Sequence, residues 1–344
     1  MLEYQQLRGA SRSQGREPTE IIPRMGKYSA KSIFGLVKNS GVEFMENNSL
    51  RLAAALSYNT IFSLPPLLFI VVRSAGYFFG EEAVTGQLYT QIKGLVGADA
   101  AAEIQTMITK LHLEGSNPVA TWIGIGTLVF AGTTIFVTLQ ESLNQVWNLQ
   151  TKAKNGILKL AMDRLLSFGM ILSLSFLLLV SLVVSAVIGV LTDYMQRLMP
   201  GLAVVFVYIL DVVVSMGFVT LLFALIFKYL PDAIIRWRDV WVGALVTAFL
   251  FLLGKYLIGW YIGRSDFSNS YGAAGSMVVL LSWVYYSSLI IFFGAEITQE
   301  YADTFGQPVK PNHNSVRIEI RELPHEETDD AMAGRPPAEG RFRK

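Results

Sequence analysis

Cysteine is absent from this chain, which excludes disulfides, thiolate metal sites and cysteine nucleophiles. Histidine is almost absent too, with only His112, His313 and His325. Metal-assisted phosphodiester hydrolysis needs converging histidines or carboxylates, and the sequence has no H-x-H-x-D-type cluster. No metal, no cofactor and no enzymatic activity are therefore expected. Charge is scarce as well, at 16% of residues, where a soluble domain has about 25%. With 52% hydrophobic residues and a mean hydropathy of +0.42, the composition is that of a membrane protein. The polar first 50 residues hold no long apolar run, so no cleavable secretory signal is expected there.

What the chain does have is long apolar runs, each about the 20 residues that a hydrocarbon core of about 30 Å demands of a helix. They predict an all-α, six-helix membrane bundle with spans at about 52–73, 118–139, 165–191, 202–229, 240–262 and 275–301, in a membrane domain covering 31–301. Residues 1–30 and 302–344 read as disordered cytoplasmic tails, being polar with few large apolar residues. Residues 31–50 carry an amphipathic pattern suited to a helix at the membrane surface. Residues 74–117 show apolar residues at helical spacing, as in two short helices packed over the outer face. Of the 28 Lys and Arg, 22 fall in residues 1–51, 148–164, 228–239 and 302–344, that is, before the first span, in the second-to-third and fourth-to-fifth connections and after the sixth span. Short loops rich in Lys and Arg stay in the cytoplasm, which puts both termini inside.

The first span carries the most unusual feature, Pro65 and Pro66 near its middle. Two prolines remove two amide donors and leave the carbonyls of Ile61 and Phe62 without helical partners. Ser57, Tyr58, Asn59, Thr60 and Ser63 precede them. The pattern predicts a broken helix facing the protein interior, lining a substrate path with Tyr58, Asn59 and Thr60, or else a kink whose polar groups neighbouring helices satisfy. Tyr285 and Tyr286 fall mid-span in the sixth helix and either join that path or serve ordinary packing.

Charges inside a bilayer are costly and mark candidate sites. Asp211 lies about nine residues into the fourth span and Lys255 about seven from the matching end of the fifth, so their depths differ by only about 3 Å and they could pair. Arg51, Glu141 and Glu296 fall at similar depth near the cytoplasmic side, as a charge network or as groups snorkelling to water. Gly259 and Gly263 form a GxxxG spacing that suits a neighbouring helix or a second copy in a homo-oligomer.

Three stretches are similar to a known family: LAAALSYNTIFSLPPLL at 52–68, YGAAGSMVVLLSWVYYSSLIIFFGAEITQEYA at 271–302, and YLPD after the fourth span. They resemble the YihY/BrkB inner-membrane family, once labelled ribonuclease BN, over about residues 35–302. The resemblance implies a bacterial cytoplasmic-membrane protein concerned with lipid or solute transport, or with serum resistance. The expected function is thus a transporter or flippase in contact with membrane lipids, the alternative a non-transporting envelope scaffold. The basic loops are explained by topology, so nucleic acid is not an expected partner.

Overall fold

The computed structural model describes residues 29–96, 98–109, 118–152, 156–198, 200–264, 275–313 and 315–318. Residues 1–28 and 319–344, expected as tails, lie outside the described residues. The elements are, in order, α1 (Ala30–Glu46), α2 (Ser49–Phe79), α3 (Glu81–Val96), α4 (Ala98–Thr109), α5 (Pro118–Val146), β1 (Leu149–Thr151), α6 (Gly156–Leu198), α7 (Pro200–Tyr229), β2 (Ala233–Ile234), α8 (Trp237–Arg264), α9 (Gly275–Phe305), β3 (Lys310–Pro311) and β4 (Ser315–Arg317). Five helical stretches are long and apolar enough to cross a membrane: Ser49–Phe78, Trp122–Val146, Val212–Tyr229, Trp237–Lys255 and Met277–Phe305. The 43-residue α6 covers the remaining predicted run.

α2 is the central element, packing against α1, α3, α4, α5, α6 and α9. Its first half enters the main core, where Leu56 meets a cluster that includes Phe136, Leu143, Trp147, Phe227 and Phe292. Its second half is enclosed differently. Leu68, Phe69, Val72 and Ala75 pack with Val84 and Leu88 of α3, Ile104 and Ile108 of α4, and Trp283 of α9. The two short helices predicted between the first two spans therefore act as a cover over the second half of α2.

The break expected at Pro65 and Pro66 is not there: α2 runs as one 31-residue helix through both prolines. Proline fixes φ near the helical value, so a proline pair costs two ladder bonds without dictating a turn. Burial on all sides holds the segment in line, since Pro66 to Phe69 are buried. Gly132 of α5 lies against the same place, where an added Cβ would stand 3.2 Å from the Leu67 amide nitrogen. Only a glycine lets that backbone come so close.

α8 and α9 cross through two matching Gly-x-x-x-Thr segments running in opposite directions. A Cβ on Gly243 would fall 1.8 Å from Thr298 Oγ1, and one on Gly294 would fall 1.9 Å from Thr247 Oγ1. Each threonine hydroxyl donates to the carbonyl of the glycine four residues before it on its own helix, at 2.7 Å in both cases. This satisfies the polar atom locally, so the hydroxyl oxygen can rest against the partner glycine without a donor from that helix. Small residues at such crossings let dispersion substitute for a hydrophobic drive that lipid does not provide.

Residues 302–318, expected as part of a disordered tail, include regular structure instead, residue 314 lying outside the described residues. α9 continues to Phe305, and β3 and β4 pair antiparallel with β2 and β1. These short ladders tie the C-terminal segment across the β1 and β2 connections and are the one departure from an all-α chain among the described residues.

Gly243→Ala is expected to destabilise the α8–α9 crossing by about 1–3 kcal/mol, the usual range for overpacking. Adding Thr298→Ala, which removes the hydroxyl that clashes, should recover part of the loss. Unfolding in detergent of the single and double variants checks this.

Candidate functional site

The polar residues before the proline pair are mostly satisfied close to home. Thr60 Oγ1 donates to the Leu56 carbonyl at 2.7 Å and Ser57 Oγ to the Ala54 carbonyl at 2.9 Å. Asn59 reaches another helix, donating through Nδ2 to Thr138 Oγ1 of α5 at 3.0 Å. Tyr58 is 63% exposed, with its ring edge-on to Phe62 at 5.2 Å. Pro66 is buried and Pro65 half-buried. Tyr285 packs against the main core, and Tyr286 lies over Gly254 of α8, where a Cβ would come within 2.1 Å of its hydroxyl oxygen. Among the described residues no hydrogen bond links either tyrosine to Tyr58 or Asn59.

Next to this polar stretch lies a cavity of about 190 Å³ between α2, α5, α6 and α7. Leu67, Phe136, Leu139, Met170, Leu174 and Leu225 are among its walls, and Ser173 is the one polar residue of the lining. Leu67 directly follows the proline pair, and Leu139 follows the threonine that Asn59 bonds. An apolar void of roughly 150 Å³ stays dry and takes up benzene. This one has the chemistry and the room for a stretch of hydrocarbon rather than for a hydrated ion.

One residue that sequence reasoning assigned to a loop sits in the helix bundle instead. Arg164, in α6, lays its guanidinium over the Phe130 ring at 3.9 Å. Nη1 donates to the Phe130 carbonyl at 2.9 Å, Thr133 Oγ1 at 3.0 Å and Thr134 Oγ1 at 3.1 Å. Its partners lie 12 to 16 residues from the end of α5, about 18–24 Å along the helix. The neighbouring Asp163 accepts from Gln140 Nε2 at 3.3 Å. The adjacent threonines of α5 were the available signal, since hydroxyls at membrane depth need a donor or acceptor across a helix contact.

The charge network expected around Arg51 does not form. Arg51 is exposed, and no ion pair joins it to Glu141 or Glu296 among the described residues. Glu141 is also exposed and lies within electrostatic reach of Arg164. Glu296 is fully buried and turns to α1. Its Oε1 accepts from Asn47 Nδ2 at 2.9 Å, and the same amide donates to the Val146 carbonyl at 3.1 Å. The Glu43 and Glu296 carboxyls lie within reach of each other, and Oε2 of each is buried with no donor on it. Trp147 Nε1 donates to the Ala295 carbonyl at 3.0 Å and pins α9 beside the pair. Burial pushes the Glu43 carboxyl above the ordinary glutamate range, the charges of Glu300 and Asp303 push it further, and the Glu296 bond partly offsets them. Lys255 is half-buried in α8, and Asp211 falls within α7. The side chain of Asp211 lies outside the described residues, and with it the expected pairing.

A second polar centre closes the end of the bundle that holds β1 to β4. Asp232, buried in the YLPD turn, accepts from Asn144 Nδ2 at 3.1 Å, Thr151 Oγ1 at 3.0 Å and Asn312 Nδ2 at 3.1 Å. Its backbone amide donates to Asn144 Oδ1 at 2.8 Å, and its carbonyl accepts from Ser315 Oγ at 2.7 Å. One residue thus fastens α5, β1, the β2 turn and the C-terminal segment together.

A family model described as Virulence factor BrkB matches residues 41–319. Among similar proteins, a UPF0761 membrane protein of Verminephrobacter eiseniae is 28% identical over 251 residues, covering 72% of this chain and 57% of that protein. One from Ralstonia nicotianae is 26% identical, covering 73% of this chain and 55% of its own length. The chain therefore spans little more than half the length of these two relatives. A shorter one from Haemophilus influenzae is 25% identical, with 80% of this chain and 98% of the relative covered. No solved structure matches the chain.

Asp232→Ala should remove the acceptor of three donors, of which the Asn144 amide is buried and costs about 1–3 kcal/mol if left unsolvated. The expected outcome is faster amide exchange at residues 310–317 with little change in α2, read by hydrogen exchange in micelles.

Proposed function

The chain belongs to the virulence factor BrkB family, and from that premise we propose that it is a six-span protein of a bacterial cytoplasmic membrane, both termini inside, that transports or flips a lipid. The cavity beside the proline pair carries this reading. A path for ions or polar solutes would be lined with unspent hydrogen-bonding groups, whereas these walls are hydrocarbon with a single serine. The hydroxyls of Ser57 and Thr60 and the amide of Asn59 already have partners, which leaves the acyl chain of a lipid as the cargo that the bundle can accommodate. No chemical step is assigned to the protein, and its partners are membrane lipids, not nucleic acid.

Support for the topology comes from the five apolar spanning helices together with α6. The concentration of Lys and Arg in alternate connections supports the orientation.

The test is lipid movement between leaflets of vesicles reconstituted with the full chain. Leu174→Trp, which fills the cavity, should reduce the rate at least about tenfold, the factor that corresponds to roughly 1.4 kcal/mol on a barrier. Folded protein that moves no lipid of any headgroup class would overturn the proposal in favour of an envelope scaffold.

A further inference from the structure

α1 is amphipathic in an inverted sense. Its outward face carries Ile33, Phe34, Val37, Val42 and Met45, exposed by 47–73%. Its inward face, against α9, carries Ser40, Glu43 and Asn47 beside Leu36 and Phe44. With Lys31, Lys38 and Glu46 exposed beside these apolar side chains, α1 suits the boundary of acyl chains and headgroups, with Ser40 and Glu296 shielded and Glu43 half-buried at the contact with α9. Shielding makes the carboxyl pair a chemical problem. Two carboxylates in contact cannot both hold a negative charge at low dielectric without a bound proton or cation between them. A hydrogen bond between the two would need a hydrogen on one of them, because an ionised carboxylate only accepts.

Three further polar atoms on these faces are buried without a partner. Glu296 is 0% exposed, yet its Oε2 has no partner. Ser40, one turn before Glu43 on the same face, is 0% exposed with an unpartnered hydroxyl. Gln299, 4% exposed and one turn beyond Glu296, leaves its Oε1 unpartnered. Asn47 spends its amide on one Glu296 oxygen and on Val146, so it neutralises neither charge.

We propose that Glu43 and Glu296 form a proton-binding site between α1 and α9, and that release of its proton to water lifts α1 away from α9. With one proton shared, the pair bears a single negative charge and an internal hydrogen bond. Without it, two anions face each other, and the surrounding groups make matters worse. Glu46 of α1 and Glu300 and Asp303 of α9 all add repulsion, while Arg317 of β4 acts on Asp303, and Lys31 and Lys38 of α1 and Arg51 of α2 are exposed. Asn39 Nδ2 binds Glu300 Oε1 at 2.9 Å and would be released with the helix. The sign follows from linkage: the docked state holds the proton that the undocked state gives up more readily, so docking is strongest at low pH and weakens as pH rises above the ordinary glutamate range. The site stands on its own geometry and is independent of the lipid reading.

The absence of cysteine makes the test clean, because introduced cysteines carry the only labels. Spin labels at Val37→Cys on α1 and Ile234→Cys on β2, both exposed positions, report the α1 distance in the full chain in nanodiscs. The wild-type background should shift to longer distance as pH rises from mildly acidic to alkaline. Glu296→Gln and, separately, Glu43→Gln should abolish that shift and hold the short distance throughout. Infrared difference spectra over the same range should show one protonated carboxyl lost in the wild type and none in Glu296→Gln. A pH-invariant distance in the wild type, or a shift that survives both glutamine variants, overturns the proposal.

Discussion

A polar group inside a bilayer has no water to fall back on, so every amide, hydroxyl and carboxyl of this bundle must find its partner within the protein. The arrangement of helices follows from that constraint. Threonines return their hydroxyls to their own helix, as Thr247 and Thr298 do, and only then can bare glycines meet them across the α8–α9 crossing. Groups that cannot be satisfied locally are spent on joining helices. Asn59 links α2 to α5, Arg164 links α6 to α5, and Asp232 links the chain's connections to its C-terminal segment.

The same constraint explains why α2 survives its prolines. Two missing rungs weaken a helix from inside, and in a lone span the freed carbonyls would favour a bend. Here the segment from Pro66 onward is enclosed by α3, α4, α5 and α9, and Gly132 brings a second backbone alongside. Packing from outside substitutes for bonding from within. The cavity lies on the flank of α2 at this level, where Leu67 faces Met170 and Leu174 across a gap.

Much of the fold was legible because apolar run length and spacing respond directly to bilayer thickness and helical period. The runs and the two covering helices could be read from those alone. What could not be read is where side chains cross between helices. Arg164 looked like a loop residue because nothing in its own neighbourhood reveals that its length carries it to Phe130 on another helix. Glu296 was singled out for its depth but matched with Arg51, since opposite charge is the default partner. Its actual neighbour is another acid, Glu43, brought there by an amphipathic helix whose facing direction the periodicity alone did not decide. The C-terminal segment looked disordered by composition, and its order comes from Asp232, some 80 residues away in sequence.

An unbroken α2 also has a mechanical consequence. A broken helix would absorb motion at its hinge, keeping events at its two ends separate. A continuous one acts as a rod, about 46 Å long at 1.5 Å per residue over its 31 residues. At one end, Asn48 sits in the left-handed region at φ 56°, the turn between α1 and α2. Asparagine tolerates that conformation where most residues would be strained, which keeps the turn tight. The adjacent Asn47 is bound to Glu296. Any shift of α1 is therefore delivered to the start of α2 within two residues. Further along the same rod, Leu67 forms part of the cavity wall. The acidic pair thus adjoins the start of α2 through Asn47, the hydrocarbon pocket lies further along the same helix at Leu67, and the proline pair leaves the helix unbroken between these two points.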